Sequence, residues 1–563
     1  MSTRLATGGR LIDRSMAQKF TFNGKHMRGF AGDTLASGLL ANDQMLMGRS
    51  FKYHRPRGVV ASGAEEPNAL FNMGADGWFE PNARATTTEL FDGLTCGSQN
   101  HFPSLEFDVG AVNAKLSRFL PAGFYYKMFI HPRPFWKYVY EPFIRQSAGL
   151  GKAPKARDDD HYEHFYHHCD VAVVGGGIAG LRAALIAGQS GLRVVVLEQT
   201  AAWGGRGPVD GAIVDGQPAQ DWVDATIATL DGMDNVVLRT RTMGAGVYDH
   251  GYLLGYERVA DHTPGDGRPR HRLWRIRTRR IVTATGAIER PLAFAGNDIP
   301  GVMLASAVRD YVVNYAVSPG DRTVVVTNND DAYRTALALK DVGLEIPAII
   351  DARPKGGGAL MAQAIDAGIR VETGKGIAKV QGGKRVTGVG ICAQVGEGSV
   401  LETIDCDVVA MSGGWSPVVH LWSHCGGKLY WDDAAAMFRP DASKAPTGAD
   451  GAGFVTVVGS AFGHLGTAEI LGETADVMTG LVKSLGAKPG KVPALSGEDI
   501  DESPLAPVWL MPQGASYALR SKAWLDYQND VKVSDVQLAA QEGFESVEHA
   551  KRYTTLGMAT DQG

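Results

Sequence analysis

Three glycines, Gly175, Gly177 and Gly180, stand in a G-x-G-x-x-G spacing inside CDVAVVGGGIAGLRAALIAGQSGLRVVVLEQ, residues 169 to 199. Each answers a different demand. The first makes a tight turn, the second lets backbone touch a pyrophosphate, and the third lets a helix pack closely on a strand. A helix opening at this turn aims its N-terminal amides at the phosphates. Glu198 ends the next apolar run, 23 residues after Gly175, where an acid receives ribose hydroxyls. The triplet alone is a weak signal. Strand before, helix after and acid in place make it a dinucleotide site, with Ala179, Gln199 and Thr200 as further contacts.

Other pieces belong to the same pattern. Trp203-Gly204-Gly205-Arg206 lies just past the acid, where two-dinucleotide flavoproteins carry a Gly-Gly beside the cofactor. TATGAIERP, with Thr285 and Gly286, is similar to their Ala-Thr-Gly strand end. FVTVVGSAFGHLGTAEILGE is similar to their last motif, whose Gly-Asp holds a flavin ribityl chain. Here the pair is Gly459-Ser460. Without that carboxylate, an NAD-type dinucleotide is expected in place of FAD, and Ser460, Leu465 and Thr467 are expected to close its site with Arg206. Gly244 is a further candidate. A second nucleotide fold is degraded: in TVVVTNNDDAYRTAL, Thr327, Asn329 and Ala332 stand where glycines would be, and side chains there crowd a pyrophosphate. One working site and one vestigial site are expected. No Ser-His-Asp set, paired carboxylates or metal cluster stands out, and no residue is named as catalytic.

The elements that hold these residues follow from periodicity. Short β-branched and apolar runs alternating with helical patterns from residue 169 predict an α/β fold with parallel sheets, Rossmann-like and of the two-dinucleotide-binding type. Ahead of it, QKFTFNGKHMRGF predicts a hairpin around Asn23-Gly24. GDTLASGLLAND predicts a short helix capped by Asp33 or Thr34. With the basic, Gly-rich loop GRSFKYHRPRGVVASGAEEPNALFNMG, residues 48 to 74, they match the β-grasp layout of plant-type ferredoxins. That loop would hold an iron–sulfur cluster, yet it has no cysteine, and a cluster needs thiolates. Residues 120 to 168 read as a connector, whose aromatic stretch at 124 to 146 is expected to pack on this chain or a partner and whose GKAPKARDDD reads as a linker. His161, His164, His167 and His168 are read as an extended approach to a strand, not a metal site. The expected domains are 1–120 (β-grasp), 121–168 (aromatic connector), 169–500 (NAD-binding, with a second nucleotide fold inserted at about 315–410) and 501–563 (helical).

Composition bounds the rest. At 563 residues the chain needs several cores, and its 71 glycines exceed the usual ~7% share. A net charge of −5 argues against nucleic acid as the partner. No run of 18 apolar residues is present to span a membrane, and no apolar signal core opens the chain, so a cytoplasmic location is expected. The five cysteines are scattered without a C-x-x-C, which excludes a redox dithiol motif.

GDTLASGLLA, GRSFKYHRPRG, ASGAEEPNA, RATTTELFDGL, FLPAGFYYKMFIHP and RYTTLGMATDQG, taken with the dinucleotide core, resemble the α subunit of heterotetrameric sarcosine oxidase along essentially the whole chain. Amine and opine oxidase subunits are more distant relatives. The resemblance implies a complex with β, γ and δ subunits that demethylates sarcosine to glycine. Oxidation would occur on FAD in β, with electrons passing to FMN at the α–β interface and then to oxygen. The α subunit would bind NAD and help enclose the FMN, and Arg55 and Arg57 are candidates to lie near its phosphate. Tetrahydrofolate would bind only in a C-terminal domain that lies beyond Gly563. A helical segment ending on Asp561-Gln562-Gly563 without a cap reads as part of a longer chain, and Asp561 stands where some relatives carry a cysteine. The competing readings are a self-contained flavin-dependent NAD(P)H oxidoreductase, a subunit of a related N-methyl amino acid or opine oxidase, and a non-enzymatic nucleotide-binding scaffold.

Overall fold

A computed structural model describes residues 2–147, 153–448, 451–490 and 493–559. The chain divides into two compact units. Met1–Asp159, Arg290–Gly414 and Glu502–Gly563 form the first, and Asp160–Glu289 with Trp415–Asp501 the second.

The first unit opens with β1 (Asp13–Phe22) and β2 (Lys25–Ala31), antiparallel around Asn23-Gly24. Both turn residues have positive φ, 50° and 76°. That is the left-handed geometry that matches the strand twist of a two-residue hairpin. Helix α1 (Leu35–Ala41) follows. The Thr34 side chain accepts the Ser37 N–H, the Ser37 hydroxyl accepts the Thr34 N–H, and every helical residue is buried. Asp33, the other candidate cap, instead binds Arg4 at 2.6 Å. Strands β3 (Leu70–Met73), β4 (Glu80–Arg84) and β5 (Leu94–Ser98) complete a sheet of order β2-β1-β5-β3-β4, in which β1 and β5 are parallel. This is the β-grasp arrangement expected.

The second unit begins with β6 (Tyr162–Val174), α2 (Ile178–Gln189) and β7 (Val194–Leu197). It continues through α3 (Ala219–Asp231), β8 (Val236–Arg239), β9 (Thr242–Tyr248), β10 (Tyr252–Arg258) and β11 (His271–Thr283). The four histidines lie on or just before β6, which pairs in parallel with β11 from Tyr162 to Val174. Among the described residues, no three His, Cys, Asp or Glu side chains gather as a metal site.

The chain then returns to the first unit. There β12 (Val302–Leu304), α4 (Ala305–Tyr315), β13 (Thr323–Thr327), α5 (Asp331–Asp341), β14 (Ile349–Asp351), β15 (Val371–Thr373) and β16 (Val408–Ser412) form a parallel sheet of order β12-β16-β13-β14-β15.

Strand β17 (Val455–Val457) and α6 (Thr467–Ser484) close the second unit. Its sheet runs β8-β7-β6-β11-β10-β9, with β17 joined to β11. Val171, Val173, Leu181, Ala184, Val194, Val196 and Met478 meet in its core. Each large aliphatic side chain fully withdrawn from water contributes about 2 kcal/mol.

The last segment departs from the expected helix from about 500. Residues 502–516 carry no helix, because Pro504, Pro507 and Pro512 remove amide donors and disfavour helical neighbours. Helix starts at Tyr517–Arg520, and a short ribbon precedes α7 (Val533–Gln541) and α8 (Val547–Thr554). Thr555 then adopts a left-handed conformation, φ 66°, where α8 ends, and the uncapped end expected at Gln562-Gly563 is not among the described residues. Asp561 lies outside the described residues.

Candidate dinucleotide site

The glycine turn between β6 and α2 separates what packing demands from what it leaves open. A Cβ on Gly180 would come within 1.8 Å of the Gly175 carbonyl oxygen, and one on Gly175 within 2.2 Å of the Ala284 carbonyl oxygen. Gly175 also has φ 110°, in the region that favours glycine. These two serve the fold. At Gly177 the nearest atom to an added Cβ is the Gly205 Cα, 3.9 Å away. Nothing in the chain requires glycine there, as expected where a ligand's phosphates approach the backbone. Gly177 caps α2 without a side-chain hydrogen bond, and the first turn has no acid. The positive end of this helix is therefore open to an anion. Ala179 is buried in that first turn.

Glu198, just beyond β7, is buried. Its Oε2 accepts the Gly176 N–H at 2.8 Å, and its Oε1 accepts the N–H and hydroxyl of Thr200 at 2.7 and 2.8 Å. Burial pushes its carboxyl above the usual range, while these hydrogen bonds pull it back down. A carboxylate has about four acceptor positions and three are used here, so Glu198 organises the glycine turn and keeps about one position, on Oε2, for a ribose hydroxyl. Gln199 is exposed, and its carbonyl accepts from Arg258.

The Trp203–Arg206 loop lies on this turn, with the Gly204 N–H donating to the Gly176 carbonyl at 2.8 Å. Gly205 has φ 56° and faces Gly177. Arg206 is held by Asp210 at 2.7 Å and stacks 5.1 Å from the Trp415 ring. Past β11, the Thr285 hydroxyl donates to the Val418 carbonyl at 2.7 Å, and Gly286 has φ 74° with open space around it. Gly244, in β9, packs on Val174 at the end of β6.

The closing motif has two features that sequence reasoning missed. Gly459 would put a Cβ 2.6 Å from that of Ala179, which places this turn on the first turn of α2. Ser460 follows in a short 3-10 turn, and the Gly459 N–H donates to Glu473 at 3.1 Å. Burial raises the Glu473 carboxyl. Leu465 is exposed, but the amides of Thr467 and Ala468, which open α6, both donate to Asp499 at 2.6 and 2.9 Å. The positive end of α6 is thus occupied by a carboxylate of this chain, while that of α2 is open. Only the pairing of Asp499 with a helix start 32 residues earlier reveals this, and no local motif signals it.

The second nucleotide fold is filled from within. Arg353 binds Asp330 at 2.6 Å and Asp351 at 2.7 Å, and both carboxylates are fully buried. Asn329 binds the Ser412 hydroxyl at 2.9 Å, and Ala332 is buried. Phosphates would displace an ion-pair network that already satisfies itself.

Arg55 and Arg57 do not reach outward for a phosphate. Both are buried. Arg55 binds Asp530 at 2.6 Å, also contacts Asp298, and lies 3.2 Å over the Trp524 ring. Arg57 contacts Asn68 and Asp530. These arginines tie the basic loop to the C-terminal segment. The five cysteines are free, four of them buried and Cys425 partly so.

Comparison with known proteins accounts for this combination. Residues 16–101 match the 2Fe-2S iron–sulfur cluster binding domain, 169–434 the pyridine nucleotide-disulphide oxidoreductase family, and 520–563 the sarcosine oxidase A3 domain. L-proline dehydrogenase from P. horikoshii shares the fold, with a TM-score of 0.67 at 20% identity over 100% of this chain and 92% of that one. These features place the chain among proteins that join a pyridine nucleotide-disulphide oxidoreductase type of fold to a ferredoxin-like N-terminal domain. Along its whole length the chain is 45% identical to sarcosine oxidase subunit alpha of Rhizobium meliloti (strain 1021), covering 55% of it. It is 36% identical over 98% of its length to the same subunit of Corynebacterium sp. (strain P-1), covering 52% of that protein. Over its whole length the chain is similar to sarcosine oxidase α subunits, and it spans about half the length of these relatives.

The ferredoxin-like domain does not fit a cluster. Loop 48–74 has no cysteine. Cys96, the cysteine of this domain, is buried, its thiol donates to the Thr21 carbonyl, and burial pushes its pKa up to about 12. One buried thiol cannot supply the four ligands that a cluster needs.

Proposed function

We propose that this chain is the NAD-binding part of the α subunit of a complex that oxidatively demethylates sarcosine to glycine, with formaldehyde or methylene-tetrahydrofolate and hydrogen peroxide as the other products. The observation that carries the dinucleotide assignment is the open cradle at Gly177, beside an uncapped helix start and the Glu198 carboxylate. In this proposal the Gly175–Gly180 turn, Ala179 and the α2 amides hold the pyrophosphate. Glu198, Gln199 and Thr200 hold the adenosine ribose, and Gly205, Arg206, Gly244, Thr285, Gly286, Ser460, Leu465 and Thr467 border the remainder. Ser460 in place of an acid, and Asp499 on the start of α6, favour NAD over FAD at this site. Flavins carried by the partner, FAD within β and FMN between α and β, supply the redox chemistry when bound. The residues of this chain bind and enclose and make no bond in the reaction.

A multi-subunit assembly is supported by the connector. Ile130, Phe135, Trp136, Tyr138, Val139 and Phe143 are exposed in succession, which is the character of a contact surface. We assign the partners as the β, γ and δ subunits. No helix among the described residues is long and apolar enough to cross a membrane. A cytoplasmic location belongs to the same proposal.

The test is a calorimetric titration of the cofactor-stripped chain with NAD. One equivalent per chain is expected, since the second fold is filled by Arg353. Two equivalents, or none, would contradict the assignment.

A further inference from the structure

A loop that holds an iron–sulfur cluster is built around an anion. Thiolates ligate the irons, and backbone amides hydrogen-bond to the sulfurs. Here the thiolates are gone, but the convergence of amides is not. Residues 58–69 have no regular secondary structure, yet four of their N–H groups point at one side chain. Glu66 Oε2 accepts from Val60 at 2.8 Å and Ala61 at 2.6 Å. Its Oε1 accepts from Asn68 at 2.6 Å and Ala69 at 3.0 Å. Glu66 is fully buried. Burial raises its carboxyl, and the four amide bonds oppose that rise. A buried charge that receives four charge-assisted hydrogen bonds is compensated, whereas an apolar residue there would leave four buried amides without partners.

The same stretch faces the nucleotide fold of its own unit. The Leu304 N–H donates to the Val60 carbonyl at 2.8 Å, and the buried Tyr311 hydroxyl to the Ala61 carbonyl at 3.0 Å. The Ser62 hydroxyl donates to Asp310. A Cβ on Gly58 would stand 3.0 Å from the Pro300 Cα, so the backbones are in close contact. On its other side the loop is held by β4 and the residues after it: the Arg84 side chain donates to the Glu66 carbonyl at 3.0 Å, and the Thr86 hydroxyl to the Gly63 carbonyl at 2.6 Å.

We propose that the Glu66 carboxylate is the resident anion of this loop, taking the organising place of a cluster, and that the loop it shapes is a clasp fastening the β-grasp domain to β12 and α4. The loop is retained for its shape, and electron transfer is no part of its work. This inference does not depend on which dinucleotide the chain binds.

Hydrogen–deuterium exchange resolved to single amides tests it on the full chain. In the unaltered protein the amides of Val60, Ala61, Asn68 and Ala69 should exchange as slowly as those of β1, although they lie in no strand or helix. Fast exchange at these positions overturns the proposal without any variant. In Glu66→Gln one oxygen becomes an NH2 group, which cannot accept. Exchange should then accelerate at least about tenfold at one amide pair, and the Leu304 amide should follow. In Glu66→Asp, which keeps the charge on a shorter side chain, the acceleration should be smaller. Unchanged protection in Glu66→Gln would show that the carboxylate organises nothing. Anaerobic incubation of the unaltered chain with ferrous iron and sulfide should yield no stoichiometric cluster. One cluster per chain would contradict the assignment.

Discussion

At the scale of single residues, the glycine turn separates two kinds of requirement. Gly180 cannot bear a Cβ because the Gly175 carbonyl lies 1.8 Å from it, while Gly177 has the room. Gly177 also has φ −76°, which any residue adopts. Gly177→Ala should therefore leave the thermal midpoint nearly unchanged, within about 0.5 kcal/mol, and weaken NAD binding at least about tenfold by pushing the pyrophosphate off the backbone. Gly180→Ala should cost roughly 3 kcal/mol or more in stability. Thermal unfolding and titration of the two variants check this, and equal effects on binding and stability in both would contradict it. The spacing of these glycines and the position of Glu198 were legible in the sequence, because each demand falls on one residue within a short segment. Asp499 on the start of α6, Glu473 on Gly459, and the burial of Arg55 against Asp530 were not legible. In each case the partner lies far along the chain, and only the folded backbone brings the charges together.

At the scale of elements, hairpin, capped helix and parallel strands could be read from periodicity and turn residues. The failure came where prolines intervene, between residues 502 and 516, and the reason is local. The C-terminal segment still packs back on the basic loop. Asp530 accepts the Lys52 and Tyr53 amides at 2.8 and 3.1 Å. The Lys52 ammonium lies 4.8 Å over the Tyr53 ring and 5.1 Å over that of Phe124. Burial pushes this ammonium down to about 8. An unfolded lysine titrates near ~10.4, so between these values the unfolded chain binds more protons, and stability rises with pH across that window. Below it the folded protein carries the full cost of the buried charge. Lys52→Met should thus stabilise the protein by about 1–3 kcal/mol at pH 7, and the gain should vanish above about pH 10.5. Denaturant unfolding at the two pH values measures it. A loss of stability equal at both would show that the ammonium is not the costly element.

At the scale of the whole molecule, two loops of the kind that hold a cluster or a dinucleotide are closed from within. The ferredoxin-like loop closes on Glu66, and the second nucleotide fold closes on Arg353 with Asp330 and Asp351. One device, the turn at Gly177, keeps its space. This asymmetry underlies the proposal of a single bound nucleotide on the chain, with the redox groups on partners. The family was visible in the sequence because the matching stretches run along the full chain. The internal closures were not, since they depend on which carboxylate reaches which amide or guanidinium. Purifying the chain by itself, denaturing it and identifying what is released by absorbance and mass distinguishes a nucleotide-binding chain from a flavin-bearing one. NAD is expected, with no absorbance band near ~450 nm. Release of FAD would contradict it, and would mean that the chain carries electrons despite Ser460 and Asp499.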